Sequence, residues 1–297
     1  MKRLLERLEQ GEILVADGAM GTMLLQKGLK PGECPESFNL TRPEILEEMA
    51  GLYLGAGAQI IETNTFGANP LRLCQYGLEE RMEEINRNAV RAVRSAVGGR
   101  AYVAACCGPS GRILKPYGDT DPKEVYAGYL AQMEWLIDAG IDCICVETMI
   151  DLAEARLLVE AAKEVSSATP VTATMTFDAT PRGFFTVMGV DIAAAASGLA
   201  EAGADVVGSN CGNGIQKMIE IAKEFRRHSD LPLIIQSNAG LPKMQNGVPV
   251  YGETPEFMAD RARELIAAGV SIIGGCCGTT PEHIRAIRKV VDSSVNG

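Results

Sequence analysis

The segment Ile272-Ile273-Gly274-Gly275-Cys276-Cys277-Gly278-Thr279-Thr280-Pro281 carries an apolar, strand-like run into two adjacent cysteines, and Pro281 then opens a helix. Neighbouring cysteines rarely bond to each other, because the linking ring is strained and their Cα atoms sit near the shortest span a disulfide accepts. Two thiolates at a strand end are better suited to one soft metal ion. A candidate for the third ligand, Cys211, ends another apolar run, Val206-Val207-Gly208-Ser209-Asn210-Cys211. Three thiolates plus one open position distinguish a catalytic zinc from a closed structural one.

These residues need a frame that brings strand ends together, and the chain supplies a repeated phrase for it. A helical stretch, Ala-Gly, a β-rich run and a polar tip recur at Ala56-Gly57, Ala139-Gly140, Ala202-Gly203 and Ala268-Gly269. The glycine reads as a helix C-cap, and the short apolar run after it as a strand buried on both faces of a parallel sheet. Four further runs, residues 13–16, 102–105, 170–176 and 231–236, bring the strand candidates to eight, each followed by a helix-sized segment. Helix starts are legible at Thr41-Arg42-Pro43-Glu44, Thr254-Pro255-Glu256 and Thr280-Pro281-Glu282. The pattern predicts a single (βα)8 TIM barrel, one domain over residues 1–297, with the zinc at the C-terminal mouth of the strands. A doubly wound open sheet is the competing fold, but Asp17-Gly18-Ala19-Met20-Gly21-Thr22 after the first strand has neither dinucleotide nor P-loop spacing.

Composition narrows the function class. The chain has 297 residues, 46% of them apolar, with 28 basic against 38 acidic residues and a net charge of −10, which disfavours nucleic acid and anionic membranes as partners. No apolar run has membrane-spanning length, and the charged N-terminus does not read as a signal peptide, so a cytoplasmic protein is expected. Nine cysteines, an odd number without the spacing of a secreted framework, argue for thiols kept reduced. Only two histidines are present, His228 and His283, and both read as surface residues, leaving little material for triad chemistry.

In a barrel, chemistry gathers where the strands end. The predicted tips carry Asp17-Gly18-Ala19, Glu62-Thr63-Asn64, Cys106-Cys107, Glu147-Thr148, Thr176-Phe177-Asp178, Asn210-Cys211, Asn238-Ala239-Gly240 and Cys276-Cys277. A thiolate centre beside the carboxylates of Asp17, Glu62 and Glu147 suits a small substrate bearing both a thiol and an ammonium group. Glu62 fits contact with substrate and bracing of the rim equally well. Cys106 and Cys107 fit core filling, a redox pair or a second soft-metal site. Cys34, Cys74, Cys143 and Cys145 read as buried small hydrophobes, and Met20, Met23, Met175 and Met188 as core or pocket lining.

The motifs at residues 17–22, 63–68, 146–148, 210–211, 238–240 and 274–283 resemble the homocysteine S-methyltransferase family, in order and over nearly the whole chain. The likeness is strongest to the homocysteine-binding barrel of cobalamin-dependent methionine synthases. It implies one Zn²⁺ held by Cys211, Cys276 and Cys277, and homocysteine as the methyl acceptor, giving methionine. By the same likeness Asp17, Gly18 and Glu147 hold the amino acid end, and Asn238 lies beside the metal. Backbone N–H groups of the turn through Gly18, Ala19, Gly21 and Thr22 suit the substrate carboxylate, with Thr148 beside it. The chain has no corrinoid- or folate-binding module, so a methylcobalamin on a separate protein is the expected donor. The segment from Asp178 to Val190, with Arg182, Phe184 and Phe185, is its expected contact. That segment has Met188-Gly189-Val190 where many relatives carry Gly-Thr. A sulfonium or betaine-type donor is the alternative within the class, and a zinc- and thiol-binding subunit without turnover the alternative outside it.

Overall fold

The computed structural model describes residues 2–245 and 248–295. Eight strands run in chain order: β1 (Leu14–Val15), β2 (Ile60–Glu62), β3 (Tyr102–Cys107), β4 (Cys143–Met149), β5 (Val171–Met175), β6 (Val206–Gly214), β7 (Leu233–Asn238) and β8 (Val270–Gly275). Every neighbouring pair is parallel, β1 pairs with β8, and a parallel bridge from Ala16 to Ile60 joins β1 to β2. The sheet is therefore a closed eight-stranded barrel, and the open-sheet alternative is excluded.

The period-two alternation of a strand sorts the side chains. Leu14, Ala16, Ile60, Tyr102, Ala104, Cys143, Cys145, Val206, Ile234 and Ile272 form the barrel interior, and Leu4 and Leu8 of the helix Leu4–Glu9 close its lower end. The intervening residues, such as Val15, Val103, Ile144, Val207 and Ile273, pack outward against the helices. Cys143 and Cys145 are thus interior filling, as expected. The outer ring contains α1 (Pro43–Ala56), α2 (Met82–Val97), α3 (Pro122–Asp138), α4 (Leu152–Val165), α5 (Ile192–Glu201), α6 (Ile215–His228), α7 (Pro255–Ala267) and α8 (Pro281–Val295). Gly57, Gly140, Gly203 and Gly269 all adopt the left-handed conformation their repeated phrase predicts.

The helix starts follow sequence logic with two amendments. Thr254 caps α7 by accepting from the Phe257 N–H. Thr41 does not cap α1: it ends the short helix Phe38–Thr41, its hydroxyl donates to the Ser37 carbonyl, and Arg42 occupies the cap position. At α8 it is His283, not Glu282, that completes the cap, its Nδ1 accepting from the Thr280 N–H at 3.1 Å. His283 is buried at 6% exposure, correcting its reading as a surface residue, and its Nε2 lies 2.9 Å from the Glu253 carbonyl oxygen. With Nδ1 accepting, the proton sits on Nε2 and that group donates. Cys74 corrects in the other direction: it is exposed in a short turn, whereas Cys34 is buried. Among the described residues no helix is long and apolar enough to cross a membrane.

Candidate active site at the barrel mouth

The same alternation that fills the interior sets the top layer. One step above Ile60, Ala104, Cys145 and Gly208 on the inward-facing rows stand Glu62, Cys106, Glu147 and Asn210. Glu62, Cys106 and Glu147 border a cavity of about 280 Å³ whose wall also includes Gly18, Met20, Thr148, Cys211, Cys276 and Cys277, with Asn210 buried behind Glu147. Phe66 closes another side together with Pro35 and Glu36, two residues that no motif flags. A shallower groove of about 780 Å³ lies at the opposite end of the barrel around Lys2, Tyr102 and Asp142, away from every predicted tip.

Two groups of ligand-type atoms face this cavity. The sulfurs of Cys211, Cys276 and Cys277 lie within 4.8 Å of one another, with Cys211 and Cys277 3.9 Å apart. Three thiolates at tetrahedral angles and Zn–S distances of about 2.3 Å would be separated by ~3.8 Å, so the trio has the dimensions of a zinc site before any ion is placed. Cys211 reaches this position only because its backbone is left-handed, at φ 59°, where the pairing register of β6 with β7 breaks between Asn210 and Gly214. Hydrogen bonds from Cys276 and Cys277 hold the Cys211 thiol down at about 3, while the Cys277 thiol is pushed up to about 11, mainly by its hydrogen bond to Cys211. The Asn238 amide hydrogen-bonds Cys211, and its Oδ1 is buried without a partner.

The second group is carboxylate. Glu147 has both oxygens engaged: the Cys106 thiol donates to Oε1, and the Asn210 amide donates to Oε2 at 3.0 Å. Asn210 is itself fixed, accepting from the Thr148 N–H at 2.7 Å and the Thr174 hydroxyl at 2.8 Å, and donating to the Thr148 hydroxyl at 2.8 Å. Thr148, at φ 59°, is the other non-glycine residue with positive φ among the described residues. Such strain gathers where the surroundings over-determine a site. Asp17 lies behind the cavity wall rather than among its lining residues: it accepts from the Glu62 N–H through Oδ2 at 2.9 Å, and its Oδ1 is buried with no partner. Glu62 accepts from the Gln236 amide at 2.9 Å, so it braces the rim and also lines the cavity.

Burial raises the pKa of Asp17, Glu62 and Glu147, and the charge of Glu62 raises Asp17 and Glu147 further. Among the described residues, no Lys, Arg or His lines the cavity. A cation is the component this site lacks. The glycine-containing turn lies beside it. The Ala19 N–H is already bonded to the Thr279 hydroxyl at 3.1 Å. The helix Met20–Gln26 begins immediately after, and its first N–H groups have no partner within the helix. The Thr22 hydroxyl is spent on the Gly278 N–H at 3.2 Å. Gly18 is obligatory for packing, since a Cβ there would lie 2.6 Å from Thr279 Oγ1 and 3.0 Å from the Tyr53 hydroxyl.

Cys106 and Cys107 separate by strand parity. Cys106 faces the cavity, whereas Cys107 belongs to the outer core, so the two do not act as a pair or as joint ligands of one metal. The segment after β5 is a hairpin, Asp178–Thr180 paired with Gly183–Phe185. Phe184 and Phe185 are half-buried, with the Arg182 guanidinium 5.5 Å from the Phe185 ring, and the apolar residues on display are Val187 and Met188. Met188 is therefore not lining, whereas Met23 and Met175 are core and Met20 lines the cavity.

Known proteins share this architecture. The homocysteine S-methyltransferase family profile matches residues 14–291. Methionine synthase of Mycobacterium leprae (strain TN) is 32% identical over 305 residues, and that of Mycobacterium tuberculosis (strain ATCC 25618 / H37Rv) 33% identical over 305. Each alignment covers 97% of this chain and 25% of the relative, so the chain spans about a quarter of the length of those proteins. The metallated crystal structure of the homocysteine methyltransferase MmuM from Escherichia coli superimposes with a TM-score of 0.80 at 24% identity, covering 96% of this chain and 99% of MmuM, a likeness of fold. With the family match spanning the barrel from its first strand into its last helix, this chain belongs to the homocysteine S-methyltransferase family.

Proposed function

We propose that this chain, acting over residues 1–297 as one homocysteine-binding barrel, transfers a methyl group to the thiol of L-homocysteine to give methionine, with Zn²⁺ held by Cys211, Cys276 and Cys277. The observation that carries the reading is the division of one cavity into a three-sulfur corner and a cation-free carboxylate corner. A free amino acid thiol has the complement of both. Asp17 Oδ1 and Glu147 receive the ammonium, and the N–H groups of the turn through Gly18, Ala19, Gly21 and Thr22 receive the carboxylate, with Gly21 and Thr22 at the open helix start and Ala19 shaping the turn. Thr148 and Asn210 hold Glu147 in place, and Asn238 buttresses Cys211. Zinc held by Cys211, Cys276 and Cys277 would favour the deprotonated form of a substrate thiol, the form that attacks methyl groups. The protein's contribution is to fix that sulfur facing the open mouth, so that a donor arriving from outside meets a positioned nucleophile.

For the donor we favour a methylcorrinoid on a separate protein. The rim supports it: Ile113 and Tyr117 after β3, Val187 and Met188 after β5, and Leu241 and Met244 after β7 are all exposed around the mouth. Large exposed apolar groups clustered at one face mark contact with another macromolecule. Zinc-loaded protein, homocysteine and a panel of donors (free methylcobalamin, a methylated corrinoid protein, a methyl sulfonium and a betaine) test the reading, with methionine as the readout. Methionine from a corrinoid donor is the expected result. Turnover with sulfonium or betaine alone replaces the donor assignment, and homocysteine binding without turnover on any donor makes the chain a binding subunit.

A further inference from the structure

Two neutral donors on different strands, the Cys106 thiol and the Asn210 amide, hold the two oxygens of Glu147. The buried Glu36 is held similarly, by the Cys34 thiol and the Gly67 N–H, but Cys34 does not line the cavity, whereas Cys106 does. Cys106 is 6% exposed, faces the cavity beside Glu62 and Glu147, and gives its thiol hydrogen to Glu147 Oε1. Burial, with the charges of Glu147 and Glu62, keeps that thiol far above its ordinary value, so it stays protonated and can only donate to the carboxylate. An S–H is a weak donor. Here it fixes the direction of the carboxylate oxygen that it bonds. The two donors lie in the barrel wall, and what remains of the carboxylate's acceptor capacity faces the cavity.

We propose that Cys106 is a positioning residue: its thiol fixes Glu147 for the substrate ammonium, and thereby sets the preference of the site for amino acid thiols over plain thiols. The inference rests on the proposed function and names a determinant of it that lies outside the zinc-ligand set.

The test is calorimetric binding to zinc-loaded, full-length protein, comparing homocysteine with 4-sulfanylbutanoate, which keeps thiol and carboxylate and lacks the amine. Cys106→Val, close in size but without a donor, is expected to weaken homocysteine about tenfold, the scale of a lost hydrogen bond to a charged group. It should leave 4-sulfanylbutanoate and zinc content unchanged. Cys106→Ser, which restores a donor, should recover most of the homocysteine affinity, and Cys106→Ala gives the same comparison if the branched side chain disturbs folding. Equal weakening of both thiols, or no recovery with serine, would reduce Cys106 to packing and overturn the proposal. Glu147→Gln run alongside separates the two levels. If it weakens homocysteine and Cys106→Val does not, only the cysteine assignment fails; if Glu147→Gln itself binds homocysteine normally, the ammonium role of that corner fails and the cysteine role with it.

Discussion

Replacing Glu147 with glutamine removes one charge and keeps the shape, and the surrounding hydrogen bonds determine how the new amide must sit. Asn210 cannot turn over, because its Oδ1 already accepts from the Thr148 N–H and the Thr174 hydroxyl while its Nδ2 also serves the Thr148 hydroxyl. The oxygen of the introduced amide must therefore face Asn210, leaving its nitrogen toward Cys106, whose thiol rotates to accept. The variant should fold. The lost ammonium contact is that of a buried charge pair, for which truncation costs about 2–4 kcal/mol. Asp17 Oδ1 remains to hold part of the ammonium, which favours the lower end, ~2 kcal/mol or about thirtyfold in Kd. Stability should move the other way. Because the folded-state pKa of Glu147 is raised, ionising it opposes folding, and the unliganded wild type loses stability as pH rises from the ordinary carboxylate range through the folded value. Glutamine lacks this cost, so the unliganded variant should melt at or above the wild-type temperature at neutral pH. Calorimetry with homocysteine and a thermal melt of the free protein measure both. Wild-type affinity for homocysteine would remove Glu147 from the site, and a lower melting temperature would refute the electrostatic account of its burial.

The metal assignment predicts about one Zn²⁺ per chain. Cys211→Ser, Cys276→Ser and Cys277→Ser should each lose zinc and methyl transfer together, whereas Cys143→Ser, in the barrel interior, should keep both; full zinc in Cys277→Ser contradicts the assignment. Homocysteine binding should release protons near neutral pH and add a sulfur neighbour to zinc in X-ray absorption, because the thiol must deprotonate to ligate. An unchanged coordination shell at saturating homocysteine rules direct ligation out. Val187→Ser with Met188→Ser should slow transfer from a corrinoid protein several-fold while leaving zinc content and homocysteine affinity intact, since hot-spot contacts at an interface each carry about 1 kcal/mol or more. Unaltered rates with the corrinoid donor would make the rim hairpin a purely structural element.

The barrel is legible in the chain before any folding is considered. Eight apolar runs separated by helix-sized segments with Ala-Gly stops leave little choice of architecture, because each strand must bury both faces and each connection must cross over to the next parallel strand. The chain also determined which residue types stand at the strand tips, and in Gly-Gly-Cys-Cys-Gly-Thr-Thr it carried the family. Which parity faces inward was settled only by the closed barrel, which parts Cys106 from Cys107 and puts Glu62, Glu147, Asn210 and Cys276 on the inner face. Parity fails at Cys211, the residue after inward-facing Asn210, which a regular strand would direct at the helices. Only the folded chain turns it into the mouth, through a left-handed backbone at the register break of β6. That conformation is unfavourable for a residue with a Cβ, and no local pattern announces it; it persists because the neighbouring strands hold Asn210 and Gly214 on either side. The burial of His283 and the thiol contact between Cys106 and Glu147 have the same origin. Each joins residues 30 or more positions apart, and a distance of that kind is set by barrel closure rather than by any stretch of sequence.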